Sequence, residues 1–190
     1  MIINIRGTSG SGKSTLVRAL MAQYTDRQPY HLSGRRRPIG YVCTRPEHKP
    51  LAVVGHYETA CGGCDTIPTM DKIFELVRQS HRRGWNVVFE GLLISADAKR
   101  TLDLHKGQGL PLTVIGLNKV PIEMCLESVN KRRMERMGPE KFTPVKEKNT
   151  ISKHRGVDKS MEFLIKHGVT VHSCDRDEAL ALCESLLDLT

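Results

Sequence analysis

Eight residues near the start of the chain, Gly7-Thr8-Ser9-Gly10-Ser11-Gly12-Lys13-Ser14, fit the pattern G-x-x-x-x-G-K-[ST]. Glycines at 7, 10 and 12 free the backbone to turn its N–H groups toward phosphate oxygens. The first turn of a following helix adds its partial positive charge. In this pattern Lys13 reaches the β- and γ-phosphates and the Ser14 hydroxyl ligates Mg²⁺. Gly7 through Thr15 are therefore the candidate ATP-phosphate residues. The context is right, because "MIINIRG" reads as a buried strand. Lys13 to Tyr24 reads as a helix with Leu16, Leu20 and Tyr24 on one face.

Phosphoryl transfer also needs carboxylates and cations. "NVVFEG" places Glu90 directly after three apolar residues, at a strand's carboxyl end, where it would hold a Mg²⁺-bound water or contact the substrate. Asp65 follows two glycines and is the first candidate to take or orient the proton of a hydroxyl acceptor. Glu58 and Glu90 are its rivals, and a capping or turn aspartate is the plainer reading of Asp65. From Pro121 a helical stripe runs through Ile122, Cys125, Leu126 and Val129. Continued in steps of three and four, it reaches Arg132 and Arg136. Both are expected to face inward, where they would neutralise charge on the transferring group. Arg133 projects elsewhere. Tyr57 and Tyr41 are candidates to stack on a base, though Tyr41 lies in a predicted strand and reads as core. Arg45, just after that strand, could grip a substrate phosphate or stand exposed in a loop. Cys61-Gly62-Gly63-Cys64 has C-x-x-C spacing. A structural zinc site needs two further ligands, for which Cys43, His48 and His56 are available. A tight Gly-Gly turn between two thiols is the preferred reading.

The elements that position these residues alternate along the chain. "PIGYVCT" (38–44) reads as a second strand and 45–68 as a long functional loop or small hairpin. A helix begins at Thr69 or Asp71, runs to about His81, and Gly84 stops it. Residues 85–91 and 112–118 read as buried strands. Residues 138–157 lack periodicity and read as mobile. "MEFLIKHG" is a short helix, "VTVHS" a last strand, and Asp175 with Glu178 forms a capping box for the final helix. The expected fold is α/β, a five-stranded parallel sheet with helices on both faces and a mobile lid. Ligands bind at the carboxyl ends of such strands. One domain, 1–190, is expected, with a substrate-side insert at about 45–68 and a basic lid at about 131–159.

The chain carries a net charge of +8. From Lys131 to Lys159 there are ten basic and four acidic residues, a net +6 in one segment. A second cluster comprises His31, Arg35, Arg36, Arg37, Arg45, His48 and Lys49. Such patches suit either a polyanion partner or a lid whose arginines serve ATP alone. No apolar run approaches the roughly 20 residues of a membrane helix. The scattered cysteines and the lack of a leader-like start point to the cytosol and against disulfides.

Taken together, "GTSGSGKST", "NVVFEG", "VIGLNKVPIEMCLESVNKRR" and "CDRDEAL" resemble a P-loop kinase of the nucleotide-kinase-like group. The likeness spans nearly the whole chain apart from 45–68. It implies that adenine packs near Asp175 and Arg176 and that Arg132 and Arg136 close over ATP. More narrowly, "HYETACGGCDTI" and the basic lid resemble phage-encoded kinases that phosphorylate 5-hydroxymethyluracil in DNA. That resemblance implies ATP, Mg²⁺, a hydroxymethylated DNA partner and, for a phage-encoded chain, the host cytoplasm. A nucleoside or nucleotide kinase, a polynucleotide 5′-hydroxyl kinase and a nucleotide-dependent switch are the alternatives.

Overall fold

Seven strands pair into one sheet in a computed structural model that describes residues 1–59 and 62–189. In chain order the strands are β1 (Ile2–Arg6), β2 (Asp26–Tyr30), β3 (Gly40–Thr44), β4 (Leu51–Val54), β5 (Asn86–Glu90), β6 (Leu112–Gly116) and β7 (Thr170–Ser173). The helices are α1 (Lys13–Ala22), α2 (Met70–Arg82), α3 (Leu92–Ala96), α4 (Lys99–Leu102), α5 (Ile122–Met137), α6 (Glu147–Lys166) and α7 (Arg176–Leu186). Across the sheet the order is β2-β3-β4-β5-β1-β6-β7.

The α/β class with helices on both faces is present, but the strand count and one strand's role differ from expectation. Five strands, β4-β5-β1-β6-β7, are indeed parallel. The parallel strand beside β5 is β4, from inside the supposed loop 45–68. "PIGYVCT" instead forms β3, antiparallel to β4, and β2 pairs antiparallel with β3. The reason is visible in composition. "LAVV" is apolar at every position, the mark of a strand buried on both faces, and all four residues are buried. "DRQPY" has no apolar pattern and lies mostly exposed. It is a strand because its backbone pairs with β3, and Pro29 is tolerated because β2 is the sheet edge.

Alternate strand residues feed two cores. Ile3, Ile5, Val88 and Ile115 pack with α1 and α7 on one face. Ile2, Val87, Phe89, Leu112 and Val114 pack with α2, α3 and α6 on the other. At about 1.5–3 kcal/mol per buried aliphatic side chain, these two layers hold the strand ends in register, and the loops at those ends inherit their positions.

The segment expected to be mobile is mostly helix. Residues 147–157 form the first half of α6, which continues through "MEFLIK", and Thr150, Val157, Met161 and Leu164 are buried along it. The amide of Val145 donates to Asn130 Oδ1 at 2.9 Å, which ties α6's approach to α5. The predicted start of α2 is present, with Thr69 Oγ1 accepting from the Lys72 amide. Among the described residues no helix is long and apolar enough to cross a membrane.

The feature most at odds with composition is Arg6, the last residue of β1 and fully buried. Its five donors all find acceptors. Nε donates to Asn4 Oδ1 (2.7 Å), Nη1 to Ser95 O (3.2 Å) and Ser160 Oγ (2.8 Å), and Nη2 to Asp97 O (2.8 Å) and Thr101 Oγ1 (2.7 Å). Burial lowers its pKa to about 10, opposed by Asp97. One guanidinium thus joins β1, the α3–α4 segment and α6 directly behind the glycine-rich loop.

Candidate active site

The loop between β1 and α1 curls into a cradle. Gly10 has φ +87°, and a side chain there would collide with the carbonyl of Cys125 on α5. Only glycine meets both conditions. The hydroxyls of Thr8 and Ser11 are buried with no partner among the described residues, which leaves polar atoms free for a ligand's oxygens. Lys13 is buried, and its Nζ donates to the carbonyls of Gly7 (2.7 Å) and Thr8 (3.0 Å). Burial lowers the pKa of its ammonium, and Glu90 opposes that shift. A cation parked on two carbonyls of its own loop can swing to an incoming phosphate without leaving the cradle. From the last helix, Arg176 clamps the loop, Nε donating to Ser11 O (3.0 Å) and Nη2 to Gly10 O (3.2 Å).

Glu90 ends β5, whose register beside β1 pairs it with Ile5. It is 2% exposed. Burial raises the pKa of its carboxyl, while Lys13 and then Ser14 pull it back. Ser14 Oγ donates to Glu90 Oε1 at 2.9 Å. A hydroxyl and a carboxylate side by side at the first turn of α1 form a hard-oxygen pair suited to Mg²⁺ or its bound water. Gly63, at φ +92°, passes so close that an added Cβ would lie 2.5 Å from Glu90 Oε1. The loop after β4 is therefore pressed against this carboxylate.

That loop carries Asp65. Its Oδ2 accepts from the Leu92 amide (2.9 Å) and its Oδ1 from the Leu93 amide (3.3 Å), at the start of α3. Asp65 is exposed, so an oxygen lone pair remains free to meet a hydroxyl. A single cavity of about 510 Å³ is lined by Lys13, Ser14, Asp65, Glu90, Arg132 and Arg176, with Ser9 and Thr15 at its loop edge. The arrangement can hold polyphosphate and a divalent cation on one side and a hydroxyl acceptor on the other.

A phage protein named 5-hmdU DNA kinase, from Pseudomonas phage PaMx11, is 46% identical over 98% of this chain and 97% of its own length. The chain belongs to the 5-hmdU DNA kinase family. A second protein of that name, from Pseudomonas phage M6, is 29% identical over 98% of the chain and 97% of its own. A third, from Bacillus phage SP10, is 25% identical over 95% of the chain, which spans 27% of that longer protein. No family model matches. Among solved structures, a deoxyadenosine kinase from M. mycoides covers all of both chains at 13% identity, with a TM-score of 0.47 that is too low to transfer anything from it.

Within this family member, several expected site residues stand elsewhere. Arg132 lines the cavity, half-buried, with Nε donating to Ser128 O at 3.2 Å. Arg136 is exposed, not inward. Along α5 only Cys125 is buried among the described residues, and the helix has α6 as its main neighbour, so the apolar stripe does not form a deep inner face for Arg136 to continue. Arg133, expected on the surface, is half-buried with its Nε enclosed and without a partner. Tyr57 is not a base-stacking platform. It is 5% exposed, its ring tilted against Tyr41 with centroids 6.3 Å apart. Burial and then Glu90 raise its phenol's pKa well above the ordinary value, so it backs the carboxylate instead. Asp175 accepts from the amides of Asp177 and Glu178, both at 2.9 Å, as the cap of α7, and only its neighbour Arg176 reaches the cavity. Arg45 lies beyond the carboxyl end of β3. That strand is antiparallel to β4, so Arg45 is at the far end of the sheet from the site. Glu58 is exposed and outside the cavity. Cys61 lies outside the described residues. Cys64 is buried with Sγ donating to Val54 O at 3.3 Å, as a small core residue would. Among the described residues no cluster of three or more His, Cys, Asp or Glu could hold a metal.

Arg18 and Leu92 are among the cavity residues that escaped the sequence reading. Arg18 lines the cavity, its Nε donating to Tyr57 O at 3.1 Å and its Nη2 to Thr59 O. Its signal was the spacing of four from Ser14, which puts both on one helix face. Leu92, beside Asp65, also lines the cavity, and nothing in its local sequence announces it.

Proposed function

We propose that this protein transfers the γ-phosphate of ATP, with Mg²⁺, to the hydroxymethyl group of 5-hydroxymethyluracil in DNA. The observation that carries the reading is the meeting of two unlike carboxylates in one cavity beside a phosphate loop, in a chain 46% identical to a 5-hmdU DNA kinase over nearly its full length. The amides of the loop, with Lys13, hold the β- and γ-phosphates. Ser14 and Glu90 would hold the cation, which would neutralise charge shared by those phosphates. Asp65 accepts a hydrogen bond from the acceptor hydroxyl, aligns its oxygen with phosphorus and takes up its proton as the new O–P bond forms and the bond from the γ-phosphorus to the β-phosphate oxygen breaks, releasing ADP. Arg132, and Arg18 across the cavity, offset charge spreading over the moving phosphoryl group. Arg176 holds the loop and stands where adenine would pack against α7. The chain acts as a single kinase domain, with residues 45–68 on the acceptor side and 131–159 as its lid.

The test is a panel of reactions with γ-labelled ATP. Hydroxymethylated DNA, unmodified DNA, 5′-hydroxyl oligonucleotides and free nucleosides are compared, and the labelled position is mapped. Label on the base hydroxymethyl of DNA is expected. Label confined to free nucleosides or to 5′ ends would overturn the reading.

A further inference from the structure

The run "HLSGRRRP" connects β2 to β3, and strand direction decides where it lies. Tyr30 pairs with Gly40, and Gly40 pairs with Val54 at the carboxyl end of β4. Since β4 is parallel to β5, residues 31–39 sit on the same rim of the sheet as Glu90 and the glycine-rich loop. Arg45, His48 and Lys49, which looked like one cluster with Arg35–Arg37, follow β3 to the opposite rim. The hairpin divides that charge between the two ends.

The tip is bonded to the acceptor side of the cavity. The Ile39 amide donates to Tyr30 O (2.9 Å), and the Gly55 amide donates to Ile39 O (2.8 Å). From Gly55 the chain crosses the His56–Gly63 bridge to the turn at Cys64–Thr66. Arg35 Nη1 then donates to Thr66 O at 3.0 Å, one residue past Asp65. Arg36 and Arg37 follow it in the chain and are exposed, and no ion pair among the described residues involves either. Two guanidinium groups without an ion-pair partner among the described residues thus follow directly on the arginine that is bonded to the residue after Asp65. Gly34, at φ +76° with open space around its Cβ position, turns the tip outward.

Resting on the reading above, we propose that the hairpin tip, through Arg36 and Arg37, is the clamp for the DNA strand that presents the modified base, each guanidinium taking a backbone phosphate flanking the target nucleotide. Guanidinium groups suit phosphate because their donors match two oxygens at once. Contacts to phosphates set register without reading sequence. The clamp holds the strand while Asp65 receives the hydroxyl, and the nucleotide occupies the other side of the cavity.

The experiment compares wild type, R36A/R37A and the charge-matched K49A/R82A, whose positions lie at the opposite end of the sheet. KM for hydroxymethylated DNA, KM for ATP, kcat and Tm are measured at several salt concentrations. For R36A/R37A, a rise of about tenfold or more in KM for DNA is expected, with kcat and KM for ATP within about twofold and Tm unchanged. The slope of log KM against log salt should fall by about 1.4–1.8, at 0.7–0.9 per lost phosphate contact. K49A/R82A should match wild type. An unchanged DNA KM and slope in R36A/R37A, an equal loss in K49A/R82A, or a loss confined to kcat and Tm would each overturn the clamp while leaving the DNA kinase reading intact. Absence of any transfer to DNA by the wild type would overturn that reading itself.

Discussion

The cavity holds two carboxylates, one ending β5 beside the glycine-rich loop and one on the loop after β4; on the function proposed above they mark its nucleotide and acceptor walls, and they are built in opposite ways. On the nucleotide wall Glu90 is buried, pressed by Gly63, bonded by Ser14 and flanked by the buried Lys13. On the acceptor wall Asp65 is exposed and held by two backbone amides of a short helix. Charge kept out of water is stiff and costly to change, and it suits a cation and phosphates whose geometry is the same in every turnover. Charge held by backbone amides at the surface is cheap to approach and suits a polymer that must enter and leave.

This contrast can be broken by substitution. Lys13→Ala should have the largest effect, lowering kcat by about a thousandfold and abolishing ATP turnover with or without acceptor; label transfer within tenfold of wild type would refute its place at the phosphates. Glu90→Gln should lower kcat by about a hundredfold and weaken the dependence on Mg²⁺, read from metal titrations. Asp65→Asn should also cost about a hundredfold in transfer, yet spare acceptor-independent ATP hydrolysis. Equal loss of both activities in Asp65→Asn would mean that the walls do not divide the work.

Stability distinguishes the walls too. The folded state raises the Glu90 carboxyl's pKa above its ordinary value, so it binds that proton more tightly than the unfolded chain does. Stability of the ligand-free protein should therefore fall as pH rises from the ordinary carboxylate range through the raised value. Glu90→Gln should flatten that fall in denaturant titrations across pH. Arg6→Met, behind the nucleotide wall, should cost on the order of 3 kcal/mol by stranding buried acceptors, lowering Tm by about 6–12 °C. The smallest effects belong to α5. Arg132→Ala should lower kcat about tenfold and the exposed Arg136→Ala by less than about twofold. A reversal of that order would restore the inward stripe expected from periodicity.

How much was legible follows from the range of the interactions involved. The phosphate loop, α1, the cap of α7 and the position of Glu90 at a strand's carboxyl end depend on residues within a few positions of one another, so spacing disclosed them, whereas the pairing of β5 with β1 that brings Glu90 beside the loop is long-range. The outward turn of Arg136 on α5 could not be judged that way, because periodicity assigns a face but not how deeply that face is buried. Strand β2 has no apolar pattern and exists only through pairing with β3. Arg6 looks like an exposed charge until five acceptors from Asn4, Ser95, Asp97, Thr101 and Ser160 close around it. Only the tertiary structure decided that Arg35–Arg37 and Arg45 part company, since strand direction is set by backbone pairing between distant segments and leaves no mark on the residues it separates. The sequence by itself determined that this chain grips a nucleotide, because a phosphate loop is a local backbone shape. Which side chains share the cavity with Lys13 and Glu90 was decided by a sheet order that no local pattern encodes.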